Sequence, residues 1–131
     1  MTKTVYTMGY GGREPQDIAE AARRLDATVF DIRYLARESD PRFNRGRMQE
    51  WLGDRYQRVR DLGNVNYRGT FEEVKILDLE AGIRRIELSP RAVILLCVCE
   101  DYASCHRSVV AAELLRRGFS IEELQPRQAK D

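Results

Sequence analysis

The stretch "RAVILLCVC" (91–99) runs apolar from Ala92 to Cys99 without a polar break. A strand with one wet face alternates apolar and polar residues. A continuous apolar run of this length reads instead as a central parallel strand, covered on both faces. After the short polar link "EDYAS" (100–104) comes "CHRSVVAAELLRRG" (105–118), a helix closing in basic residues and Gly118. Strand, loop and helix together make half of a βαβ unit.

The same alternation continues outward. "TVYTMGY" (4–10) alternates β-branched and aromatic residues and runs into Gly11-Gly12, a strand entering a tight turn. "EPQDIAEAARRL" (14–25) has Pro15 near its start and apolar Ile18, Ala21, Ala22 and Leu25 at helical spacing. "ATVFDIR" (27–33) is a second strand, and residues 34–45, polar and containing Pro41, read as a loop. Residues 46–62 carry Met48, Trp51, Leu52, Tyr56, Val59 and Leu62 at helical spacing, with Gly63 as the stop. "NVNYRG" (64–69) reads as a third strand, residues 70–88 as a helix that Gly82 interrupts, and "SIEEL" (120–124) as an edge strand. The expectation is a single α/β domain over residues 1–131. It is an open three-layer sandwich with a mostly parallel sheet of four to five strands and helices on both faces.

Composition narrows the function classes. The chain has 131 residues, 43% hydrophobic and 33% charged, with a net charge of +1. That balance gives no global basic field for nucleic acid, although 19 of the 22 cations are arginines. The start lacks the basic and apolar regions of a secretory signal, and no run approaches a membrane span. Three cysteines within nine residues, an odd number, suit reduced cytoplasmic thiols better than a disulfide framework.

In open α/β sheets, ligands bind beyond the carboxyl ends of the strands. Here those ends read "GYGGR", "DIR" and "CVCEDYASCHR", and all three are expected to face one crevice. Cys97 and Cys99 are two apart on a strand and share a face. Ser104 is the candidate N-cap, which places Cys105, His106 and Arg107 in the first helical turn, where unpaired N–H groups and the helix dipole favour an anion or a thiolate. Arg107 suits a bidentate grip on a carboxylate or phosphate, and His106 suits proton transfer near neutral pH. A strand cysteine is most often a small hydrophobe, the reading taken for Cys97, whereas Cys99 at the strand's end fits either role. A metal reading uses Cys99, Cys105 and His106 as ligands, although their spacing matches no closed structural zinc pattern. Asp31 and Arg33 also share a face, as a structural ion pair or as the opposite wall of the site. The loop that follows sets Arg33, Arg37, Arg42, Arg45 and Arg47 against Glu38 and Asp40, with Tyr34 and Phe43 interleaved, a composition suited to a polyanion or a nucleobase. Tyrosine-phosphatase, Walker and dinucleotide fingerprints are all missing, so no organic cofactor is expected.

Taken in order, "YTMGYGGR", "FDIR" with "PRFNR" after it, and "LLCVCEDYASCHR" before a last helix resemble the domain of unknown function family numbered 488. The resemblance spans nearly the whole chain. It implies an α/β sandwich with the motifs gathered at one end of the sheet, and it assigns no reaction. It singles out Gly9, Tyr10, Asp31, Arg33, Phe43, Cys97, Cys105, His106 and Arg107. The chain departs from the pattern by lacking the longer insertion between "NYRG" and the fourth strand.

These readings combine into one leading expectation, a small cytoplasmic enzyme for an anionic, nucleotide-like or nucleic-acid-like substrate. Cys105, His106, Arg107 and Asp31 are the candidate catalytic residues. Gly9, Tyr10, Gly11, Arg13, Arg33, Phe43 and Cys99 are the candidate substrate contacts. The first alternative is a non-catalytic nucleic-acid or nucleotide-binding module using the Arg33–Arg47 loop. The second is metal-dependent chemistry at Cys99, Cys105 and His106.

Overall fold

The computed structural model of the chain describes residues 3–36, 40–99 and 102–124. Its strands are β1 (Thr4–Gly9), β2 (Ala27–Asp31), β3 (Tyr56–Arg58), β4 (Ala92–Cys97) and β5 (Ser120–Glu123). All pair in parallel, in the order β3-β2-β4-β1-β5. The long apolar run is the central strand, as its lack of alternation requires.

Side chains of β4 alternate between two cores. Ile94 and Leu96 join Met8, Val29 and the apolar stripes of α1 (Pro15–Leu25) and α2 (Arg45–Leu52). Val93, Leu95 and Cys97 join Val5, Phe30 and Ile32 beneath α3 (Leu79–Leu88) and α4 (His106–Arg116). The molecule is therefore a three-layer α/β sandwich, with two helices on each face of the sheet. The chain leaves β2 toward the α1/α2 face and leaves β4 toward the α3/α4 face. The β2/β4 boundary is thus a point where connections diverge, and a crevice is expected beyond the strand ends there.

Four elements differ from the sequence reading. The helix expected over 46–62 stops at Leu52, because Gly53 turns to φ +60° and ψ −129°. Tyr56–Arg58 then forms the third strand and pairs with Val29–Asp31. The segment 64–69, expected as that strand, instead makes turns, and Asn64 bridges Ile76 in antiparallel fashion. The helix expected over 70–88 begins at Leu79, where the Asp78 carboxylate accepts the Ala81 N–H at 3.1 Å. Gly82 lies inside that helix rather than interrupting it. At α4 the cap is Cys105, not Ser104. The Cys105 N–H is already bonded to the Tyr102 carbonyl (3.1 Å) in a 3₁₀ turn, and Cys105 itself is extended (φ −105°, ψ 146°). His106 is therefore the first helical residue. Among the described residues, no helix is long and apolar enough to cross a membrane.

Candidate active site at the carboxyl ends of the strands

On the α1/α2 face, β2 ends in a closed ionic knot. Arg33 grips Asp31 with both edges of its fork, Nε to Oδ1 and Nη2 to Oδ2, each at 2.7 Å. The Tyr56 hydroxyl donates to Asp31 Oδ2 at 2.5 Å, and Arg33 Nη1 donates to the Tyr10 hydroxyl at 3.1 Å. Both charged side chains are buried, and burial together with the neighbouring carboxylate raises the Tyr56 pKa. Tyr10 stacks on Phe43 with ring centroids 4.5 Å apart and planes 11° apart. Phe43, expected among exposed loop aromatics, is buried in this stack because Trp51 closes on its edge.

On the α3/α4 face, β4 delivers the thiols. Cys97 and Cys99 share a face, as their spacing dictates, and the N-cap of α4 brings Cys105 back to meet them. The three Sγ atoms lie within 4.8 Å of one another. Cys97 and Cys105 are buried, whereas Cys99 is partly exposed. Burial pushes the Cys97 thiol well above its ordinary range. The neighbouring Cys105 thiol and then the Cys97 thiol, with the Arg107 charge nearby, lower the pKa of Cys99 from the ordinary thiol range. The sulfur whose acidity is raised is also the one that solvent can reach.

Arg107 is expected to grip a substrate anion, but the carboxylate it grips belongs to the chain. Its Nε and Nη2 hold the two oxygens of Glu123 on β5 at 3.1 and 2.7 Å. Its Nη1 donates to the Cys99 carbonyl at 2.7 Å and to Cys97 Sγ at 3.2 Å. The guanidinium is 0% exposed and ties β5 to the turn after β4. Gly9 makes this approach feasible: a Cβ there would fall 1.6 Å from the Cys99 carbonyl oxygen. Nothing in the local sequence marks Glu123 as the partner, because the pairing depends on β5 adding beside β1.

His106 sits between the two faces. Its Nε2 is 3.0 Å from the Ile32 carbonyl, which can only accept, so Nε2 carries the proton. The Nδ1 lone pair is thereby directed to the other side, 3.9 Å from Cys105 Sγ. The ring thus links the end of β2 to the thiol cluster.

Between these groups opens a cavity of about 480 Å³ that takes in Tyr10, Arg33, Cys97, Cys99, Ser104 and His106. Its outer wall comes from Tyr67 and Arg68, in the turn expected as a strand, and Phe71, in the segment expected as a helix, facing Tyr34. Tyr34 and Tyr67 have centroids 5.9 Å apart, and Arg60 lies 4.1 Å from the Tyr34 ring centroid. The sequence reading missed this wall. The available signal was two aromatics flanking an arginine in "YRGTF" (67–71), with no apolar partner positions for a strand.

Other candidates stand apart from the cavity. Asp31 supports Arg33 from behind and does not line the space. Arg13 turns to backbone, with Nε on the Gly9 carbonyl (2.9 Å) and Nη2 on the Leu124 carbonyl (2.7 Å). Gly11 bonds the Val98 carbonyl through its N–H and so fixes the turn. Within the basic loop, Arg42 pairs with Asp40 and Glu14, Arg45 and Arg47 are exposed, and Arg37 and Glu38 lie outside the described residues. Of the expected metal ligands, Cys99 and Cys105 converge, but the third convergent atom is Cys97 Sγ rather than a nitrogen of His106.

Comparison of the chain with family models, with curated proteins and with solved structures gives no match.

Proposed function

We propose that the protein is a cytoplasmic thiol enzyme that binds a planar anionic ligand of the nucleotide class in the 480 Å³ cavity. Cys99, rather than Cys105, is the nucleophile. The observation that carries this reading is the convergence of the buried Cys97 and Cys105 sulfurs on the half-buried Cys99 sulfur, which lines the cavity. A thiolate is the reactive form of cysteine, and this one is both accessible and stabilised. Tyr34, Tyr67 and Phe71 offer faces for a ring, while Arg33 and Arg68 offer positive charge for a phosphate. His106, which lines the cavity, is the group placed for proton transfer to a bound ligand. Three free cysteines in one cluster support a reducing compartment. Membership of the family numbered 488 is proposed on the motifs quoted above.

The test is iodoacetamide alkylation of the intact protein as a function of pH. A stabilised thiolate reacts at a rate that stays flat from about pH 5 to about pH 8, whereas an ordinary cysteine climbs toward its pKa of about 8.5. Adenosine monophosphate is expected to slow the reaction by occupying the cavity. A rate that climbs through the ordinary range, with no protection by the nucleotide, contradicts the reading. The binding-module alternative would instead show nucleotide or oligonucleotide binding that survives Cys99→Ser and fails on charge reversal of Arg45 and Arg47.

A further inference from the structure

We propose that the sulfurs of Cys97, Cys99 and Cys105 form a three-thiolate site for a thiophilic divalent cation of the zinc class, with its fourth position open to the cavity. Zinc–sulfur bonds of about 2.3 Å in a tetrahedral site hold sulfurs roughly 3.8 Å apart. The three Sγ atoms already lie within 4.8 Å of one another, so binding needs closure of no more than about 1 Å along any edge.

The three positions are held by ordered structure. Cys97 ends the central strand, in register with Gly9, and Cys105 is the residue that caps α4. Three isolated small hydrophobes would each pack on aliphatic neighbours, and nothing in core packing requires their sulfurs to converge on one point. Arg107 supplies what ligating thiolates ordinarily have around them, a fixed outer donor. Its Nη1 is 3.2 Å from Cys97 Sγ, while Glu123 immobilises the rest of the guanidinium.

Charge selects the class of ion. Three thiolates with a divalent cation leave one negative charge, which faces Arg107, whereas a monovalent soft ion leaves two in the same partly buried place. Soft sulfur ligands also exclude magnesium and calcium, which take oxygen. The fourth position falls on the cavity side, where Cys99 is partly exposed and where water or a ligand group has access. Three protein ligands and one open position is the arrangement of catalytic rather than structural zinc sites.

The site shares Cys99 with the proposed nucleophile but does not rest on that reading. Occupied and empty clusters present the cavity ligand with a metal or with a thiolate, respectively.

The experiment is titration of the reduced, chelator-stripped full chain with Co²⁺ as a spectroscopic probe, followed by displacement with Zn²⁺. The expected result is one equivalent per chain, with a sulfur-to-cobalt charge-transfer band, tetrahedral ligand-field bands and loss of both on adding Zn²⁺. The band should be lost in Cys97→Ser as well as in Cys105→Ser, and should persist in His106→Ala. A readout on the unmutated protein guards against variants that fail to fold: Zn²⁺ should protect the solvent-reachable Cys99 thiol from iodoacetamide, read by mass spectrometry. Absence of saturable Co²⁺ binding overturns the site, and so does a band that survives Cys97→Ser or is lost in a folded His106→Ala. Flat alkylation without metal binding would sink this inference and leave the nucleophile standing. Metal binding with ordinary Cys99 alkylation after chelation would do the reverse.

Discussion

On one side of the sheet Asp31 and Arg33 satisfy each other, and Tyr56 and Tyr10 take up further positions on the pair. On the other side the sulfurs of Cys97, Cys99 and Cys105 meet with an open side toward the cavity. Both clusters stand at strand ends, yet only the second includes a side chain, Cys99, that solvent reaches to an appreciable extent. Among the described residues, no buried side-chain nitrogen or oxygen lacks a partner. The buried polar groups at this end are thus paired, while the thiol cluster keeps one side toward the cavity.

The largest test of that contrast is Asp31→Ala. It strands a buried guanidinium and is expected to cost about 3–5 kcal/mol, read by urea denaturation. A cost below about 1 kcal/mol would mean that the knot is not structural. Glu123→Gln weakens the partner of Arg107 at a less buried pair, and a loss of about 2–3 kcal/mol is expected. Fast Cys99 alkylation should survive in that variant, because its main cause is the two neighbouring thiols rather than the arginine. Removing the hydroxyl in Tyr56→Phe takes one donor from Asp31 and should cost about 1–2 kcal/mol.

Cys99→Ser sharpens the other side of the comparison. Reactivity toward iodoacetamide should disappear, and stability should fall at neutral and alkaline pH. The pH dependence changes with it. A thiol whose folded pKa is depressed contributes stability fully above its unfolded pKa of about 8.5 and loses it as pH falls. Relative to Cys99→Ser, the wild-type protein should therefore lose its advantage progressively on acidification, as denaturation at several pH values would reveal. The smallest stability effect is expected for exposed Arg68→Ala, within about 0.5 kcal/mol. Its consequence belongs to the cavity: weaker protection of Cys99 by adenosine monophosphate.

Much of this was legible in the chain. The unbroken apolar run "RAVILLCVC" is enough to place a doubly covered central strand, and the strand period puts Cys97 and Cys99 on one face. The region from 46 to 88 was less legible. Tyr56 and Val59 fit a helical stripe as well as a strand, and a single glycine with positive φ decided between them. Through that misplacement the cavity's aromatic wall was read as a strand and the start of a helix. The role of Arg107 was hidden for another reason: Glu123 comes sixteen residues later, and only the parallel addition of β5 beside β1 brings the two together. The grounds for proposing Cys99 in place of Cys105 are equally non-local. Helix-start reasoning considers one residue against a dipole, whereas the three sulfurs meet only once β4 and the N-cap of α4 are in place.

The most direct test of the account is an ultraviolet thiolate titration of the reduced, metal-free protein beside its Cys99→Ser variant. The account predicts close to one thiolate per wild-type chain at acidic pH, well below the ordinary cysteine range, and none in the variant. A wild-type signal that rises only through about pH 8.5, superimposable on the variant, would contradict it.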